Sequence, residues 1–169
     1  IDGREVGLYF VDPGDFCGEL SVFDTGTQPE YVIALNSAVV VFVPAGVLRE
    51  VAARQPAVTT SLGLKLAARI RQMTFQRSLL GLPNIAQRVC CQLWSLVSEG
   101  DKHSEQSAEI KNPPTHMEIA IMLNVSRETV TRVFQNLQNR KLVRRDGPSC
   151  LIITDLVLLK EYAEGKQNP

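Results

Sequence analysis

The 169-residue chain has no run of eighteen apolar residues, so nothing in it reads as a membrane-spanning helix, and no signal peptide opens it. It begins at Ile1 rather than Met, inside a strand-like pattern, and so reads as a fragment. Its four cysteines (Cys17, Cys90, Cys91, Cys150) form no C-x-x-C pair. Adjacent Cys90 and Cys91 would point about 100° apart on a helix and cannot bridge each other, so reduced thiols in a cytoplasm are expected. There is no P-loop, no metal-ligand cluster and no nucleophile–base pair, which argues against an enzyme and against a metal. Net charge is absent too, with 18 Lys+Arg against 18 Asp+Glu. That balance is uneven along the chain, however. Residues 1–56 hold eight acids and three bases, whereas 115–145 hold six bases and two acids. Affinity for a polyanion depends on such a local patch and not on the sum.

What is present is clearest between Thr115 and Lys141. Met117, Ile119, Ala120 and Leu123 have helical spacing, and so do Val130, Val133, Phe134 and Leu137. Asn124 stands in the turn, where Asn tolerates a left-handed backbone, and Ser126 can cap the second helix. Ala120 is small, as a close helix crossing requires. This is helix-turn-helix spacing, in which the second helix enters the DNA major groove. At about 100° per residue, Arg127, Glu128, Thr131, Arg132 and Gln135 share one polar arc opposite the apolar one. A solvated helix face is the other account of such an arc. Arg-Glu-x-x-x-Arg favours base recognition, because Arg pairs bidentately with guanine and Glu accepts from the cytosine amino group.

Ser126-Arg127-Glu128-Thr129-Val130-x-Arg132 closely resembles the recognition helix of the cyclic-AMP receptor protein and fumarate-nitrate regulator (Crp/Fnr) family of bacterial transcription factors. The resemblance covers almost the whole chain. It implies that Arg127, Glu128 and Arg132 read bases in a palindrome with TGTGA-like arms. It also implies that Thr115 and His116 touch the phosphate backbone, with Ser126 and Thr131 beside them. His116 stands where the close relative has Arg, so its contact would be weaker and pH-dependent; a surface His with no role is the alternative. The family's iron–sulfur regulators carry a cysteine cluster near the native N-terminus, a segment that this sequence does not include.

The remaining chain fits an α+β architecture: a partial β-roll of the cyclic-nucleotide-binding type, a long dimerisation helix and a C-terminal winged helix-turn-helix. Val-, Phe- and Tyr-rich runs at Glu5–Val11, Tyr31–Leu35 and Ala38–Val43, bounded by turn residues, predict short strands. Phe16-Cys17-Gly18-Glu19-Leu20-Ser21 resembles the start of the family's phosphate-binding cassette, where the Glu accepts from a ribose hydroxyl. The family's Arg-Ser pair that neutralises the cyclic phosphate falls, without gaps, on Pro29 and Glu30. No basic residue occurs between 18 and 35. Farther on, Met73 replaces a Thr expected to contact adenine, and Thr74 is the polar residue left. Burying an unpaired phosphate charge costs several kcal/mol, so tight cyclic-AMP binding is disfavoured. Gly18, Glu19, Leu20 and Thr74 then either keep a turn or line a pocket for another ligand.

Residues 44–55 read as linker and short helix. From Ala57 to about Leu80, Val58, Leu62, Leu66, Ile70, Met73 and Leu80 form a stripe suited to a twin helix or to the helix's own core. Lys65, Arg69, Arg71 and Arg77 are assigned to its outer, cationic face. By resemblance this is the dimerisation helix, and a two-fold protein suits a two-fold operator. Gly81-Leu82-Pro83 marks a boundary, giving domains at 1–55, 56–81 (helix and hinge) and 82–169. Asn84 can cap a helix from Ile85 to Ser98 with Ile85, Val89, Leu93, Trp94, Leu96 and Val97 as core candidates. Gly100–Pro114 reads as a polar, flexible loop with an exposed His103; its family counterpart touches RNA polymerase. Leu142–Val143 and Leu151–Ile153 flank Arg144-Arg145-Asp146-Gly147-Pro148 as a wing hairpin whose arginines face phosphates. Asp155 can cap a last helix, Leu156 to Glu164. The expectation is a dimeric, sequence-specific DNA-binding regulator not tuned to cyclic AMP, located in the cytoplasm. The alternative is a cyclic-nucleotide-responsive regulator with an atypical cassette.

Overall fold

The computed structural model describes residues 6–99, 106–147 and 149–168. His103, the front of its loop, Glu5 and Pro148 lie outside the described residues. The chain divides into two compact units, Phe10–Gln72 and a second made of Ile1–Tyr9 with Met73–Pro169.

In the first unit, Gly18 takes a φ of 82°, in the left-handed region that a side chain resists, and this turn leads into the single-turn α1 (Leu20–Phe23). α2 (Ala45–Arg54) follows, and Thr59 reaches back to its Ala52 carbonyl at 3.0 Å. Pro56 opens α3 (Pro56–Leu80), where its missing N–H costs nothing because the first turn has no acceptor to give it. The strands expected at 5–11, 31–35 and 38–43 are not formed: the described part of each lacks strand pairing. Side-chain propensity marks chain that would suit a sheet, but a strand exists only when its backbone pairs. Without that pairing Tyr31 is 96% exposed, Val39 97% and Phe42 87%. The α+β class itself holds, its sheet lying in the second unit.

α3 corrects a second expectation. Leu62 is buried, Val58 and Leu66 are half-buried, and Ile70, Met73 and Leu80 are exposed, so the apolar stripe is divided along its length. Arg69 does not belong to an outer cationic face; it is 5% exposed. It follows Leu62 by one heptad, and an α-helix drifts only about 20° over that interval, so both point inward. Lys65 pairs with Asp15, whereas Arg71 and Arg77 are exposed.

The second unit has one apolar core. α4 (Ile85–Glu99) starts where Asn84 Oδ1 accepts from the Ala86 and Gln87 amides at 2.9 and 3.3 Å, and it buries Val89, Cys90, Leu93 and Val97. Trp94 and Leu96 pack against the core from its edge, and Ile85 is half-buried. Leu79, near the end of α3, joins the same core. The thiols are free, and burial pushes Cys90 up to about 12, leaving it inert.

A three-stranded antiparallel sheet has the order β1-β3-β2, from β1 (Ala108–Lys111), β2 (Val143–Arg145) and β3 (Cys150–Ile153). β1 falls in the segment read as a flexible loop. Two inward residues, Ala108 and Ile110, carry its alternation, and it becomes a strand by pairing with Ile153 and Leu151. α7 (Leu156–Ala163) has Asp155 as its cap, with Oδ1 2.9 Å from the Leu158 amide. It lies along α4, where Gln87 Nε2 donates to the Ala163 carbonyl at 3.1 Å.

Candidate nucleic-acid interface

α5 (His116–Leu123) and α6 (Arg127–Asn139) form the helical pair. Thr115 caps α5 in a reciprocal box: its Oγ1 accepts from the Glu118 amide at 3.2 Å, and Glu118 Oε2 accepts from the Thr115 amide at 2.6 Å. Asn124 ends α5 in the left-handed region, φ 52° and ψ 50°, as its place in the turn suggests. Val125 then donates back to the Ala120 carbonyl at 3.0 Å, a tight turn that the buried, small Ala120 accommodates. Ser126 Oγ accepts from the Thr129 amide at 3.2 Å and opens α6. On α5 the apolar pattern holds except at Met117, which is half exposed.

α6 separates its faces cleanly. Val130, Phe134 and Leu137 are buried, while Arg127, Glu128, Arg132 and Gln135 are exposed together. Hydrogen bonds from its own backbone N–H and the Ser126 side chain, helped by Arg127, hold the Glu128 carboxyl below the usual range. It is therefore an ionised acceptor at neutral pH, as a reader of cytosine must be. Thr131 differs from its neighbours in being half-buried, because the His116 ring covers it.

His116 turns inward. Its Nδ1 lies 3.0 Å from Thr131 Oγ1, its ring lies against Phe134 with centroids 4.5 Å apart and planes tilted by 36°, and its Nε2 is buried without a partner among the described residues. Burial first, then the charges of Arg145 and Arg127, lower its pKa from the ordinary 6.5. Residue spacing carries no signal of this contact, which joins two helices through side chains alone.

β2 places Val143 inside and Arg144 and Arg145 outside. Beyond them Gly147 has a φ of 71° and Asp146 donates to the Cys150 carbonyl at 3.0 Å, closing the wing. Cys150 donates to Glu109 Oε1 at 2.8 Å, and this bond pushes the thiol up to about 11. Not every base in this region is available to a ligand. Arg140 Nη1 donates to the Tyr162 hydroxyl at 2.7 Å and to the Asn168 carbonyl at 3.3 Å, so it holds α6 to α7 and the chain end.

In the first unit, Glu19 is 4% exposed and pairs with the buried Arg69, whose Nη2 also donates to the Phe16 carbonyl. Leu20 is half-buried beside Glu19, and Thr74 is an exposed residue of the other unit. A cyclic phosphate needs a free cation and donors at this turn. The cation near Glu19 is already engaged, Pro29 offers no donor, and Glu30 is an acid bonded to Gln28 Nε2 at 2.7 Å. The residues present do not fit that group closely.

Comparison with known proteins gives two family matches: a Crp-like helix-turn-helix domain over residues 87–162 and a cyclic nucleotide-binding domain over 1–55. A CRP-like cAMP-activated global transcriptional regulator of Mycobacterium tuberculosis is 30% identical over 151 residues, which is 89% of this chain and 67% of the relative. A cyclic AMP receptor protein of Thermus thermophilus is 28% identical over 98% of this chain and 73% of its own length. Among solved structures, FixK2 of Bradyrhizobium japonicum shares the fold with a TM-score of 0.58 at 19% identity, over 71% of this chain and 59% of that one.

Proposed function

From the premise that the chain belongs to the Crp/Fnr family of transcription regulators, which are not enzymes, we propose a homodimer that binds a palindromic operator with TGTGA-like arms. Arg127, Glu128 and Arg132 read bases from the exposed face of α6. Thr115, Ser126, Thr131, Arg144 and Arg145 follow the phosphate backbone, with His116 at the same edge. The observation that carries this reading is the exposure of two arginines and one ionised carboxylate on the first turns of a capped α6. A carboxylate aimed at phosphates would be repelled, so Glu128 makes sense against a base edge.

The layout proposed is 1–55 effector domain, 56–81 dimerisation helix and hinge, and 82–169 winged helix-turn-helix. Two copies meet along α3, where Leu64, Ile70 and Met73 are exposed, and RNA polymerase is the expected partner at the promoter. Such a protein works in the bacterial cytoplasm, where the DNA is. Among the described residues no helix is long and apolar enough to cross a membrane. Selection of bound duplexes from a random pool tests the proposal. Enrichment of paired TGTGA-like arms is expected, and a pool without a shared sequence would reject it.

The effector domain is not tuned to cyclic AMP. The second reading, a cyclic-nucleotide-responsive regulator, requires Arg69 to leave Glu19 and turn to the phosphate, because the cassette's own sequence has no cation. Titrating cyclic AMP while following the melting temperature separates the two. No shift is expected, and a shift of several degrees supports the second.

A further inference from the structure

We infer that His116 is a positioning residue for base reading: its ring latches α6 through Thr131 and makes no phosphate contact of its own. The inference rests on the proposed DNA-binding role of α6. A phosphate contact requires a ring N–H directed outward. Here Nδ1 is engaged with Thr131 Oγ1 at 3.0 Å, and Nε2 is buried with no partner. The ring face rests on Phe134, a core residue one turn beyond Thr131. Two contacts on one side of α6 add to the core packing of Val130, Phe134 and Leu137 in fixing the helix's rotation about its axis. That rotation decides where Arg127, Glu128 and Arg132 point, so the ring acts on the readers without touching DNA.

The latch holds in the neutral state. The groups facing the ring are Thr131, Phe134 and Arg127 from α6 and Arg145 from β2, while Glu118 on its own helix is turned to the Thr115 amide. A proton taken from solvent would make both nitrogens donors. With the neutral ring in the tautomer whose Nδ1–H donates to Thr131, this proton adds an N–H at the buried Nε2, without an acceptor and near two guanidinium groups, and the ring would leave its seat. His116 has a pKa below its ordinary 6.5. The latch is therefore intact above that value and is lost as pH falls through the lower folded value. Once outside, the imidazolium favours any phosphate, so selectivity falls from both sides.

The test uses the full chain with two duplexes, one carrying paired TGTGA-like arms and one scrambled, across salt and pH series. At about pH 8, His116→Ala should lower the ratio of the two affinities about tenfold while leaving the slope of log affinity against log salt unchanged. The parent's ratio should fall below about pH 6.5. His116→Asn, which can donate to Thr131 from near the Nδ1 position and does not titrate, should restore most of the ratio and give a flat pH profile. Equal loss on both duplexes at about pH 8 would make His116 a phosphate contact and overturn the latch. A pH profile shared by the parent and both variants would also overturn it. A parent that prefers neither duplex at any pH would instead reject the DNA reading beneath it.

Discussion

Arg127 and Arg132 differ from Arg140 in one respect that decides their role: they stand exposed, and among the described residues no partner holds their guanidinium groups in the way Tyr162 and the Asn168 carbonyl hold Arg140. Replacing either by Ala should cost about 1–3 kcal/mol against the cognate base pair and relax selectivity at that position. Binding measured on single-base-substituted duplexes checks this. Arg144→Ala should behave otherwise, weakening cognate and random DNA alike and flattening the salt dependence by about one phosphate contact. At this scale, what was legible in the sequence is whatever acts locally. Ser126, Asn84 and Asp155 cap the helices that follow them, because a cap bonds a backbone two or three residues away. The His116–Thr131 bond and the Glu19–Arg69 pair were not legible, since each joins residues that only the folded backbone brings together. For Arg69 a clue was available: the heptad from Leu62 already placed it inward.

At the scale of elements, the helices were readable because a 3.6-residue period needs no partner to be seen. α3, α4 and α7 lie within a residue or two of their expected limits, and α6 begins directly after its expected cap, Ser126. Strands were harder to read. β1 has two apolar side chains of its own and depends on β3, while 31–35 and 38–43 have β-prone side chains and no ladder. The α5–turn–α6 unit depends most on its caps. Ser126→Ala removes the acceptor for the Thr129 amide and should lower stability by about 1 kcal/mol, seen as a fall of several degrees in the melting midpoint. Ser126→Asn, which retains an acceptor, should restore most of it. Because the loss lies at the start of the reading helix, affinity for the operator should fall more than affinity for scrambled DNA.

For the whole molecule, zero net charge concealed a polarised one. The six bases of 115–145 include Arg127, Arg132, Arg144 and Arg145 on exposed positions, opposite in sign to the acid-rich start of the chain. A local excess of bases attracts a polyanion to the residues that carry it, whatever the net charge. The proposed palindrome requires two copies, and the exposed apolar residues of α3 are the proposed interface. Leu62, buried in its own unit, is unsuited to that role, whereas Ile70 is 63% exposed. Ile70→Glu should convert the sedimenting species from dimer to monomer, with a melting temperature that no longer rises with protein concentration. Operator affinity should then drop towards that of a single half-site. A dimer that persists in this variant would place the interface elsewhere.

The most direct measurement is the equilibrium affinity of the purified chain for a duplex with two TGTGA-like arms and for its scrambled counterpart, at moderate ionic strength. A face of two arginines and one carboxylate set against base edges predicts a preference on the order of a thousandfold for the ordered palindrome. Equal affinities would mean that α6 meets only phosphates, and the assignment of Arg127, Glu128 and Arg132 as base readers would be wrong.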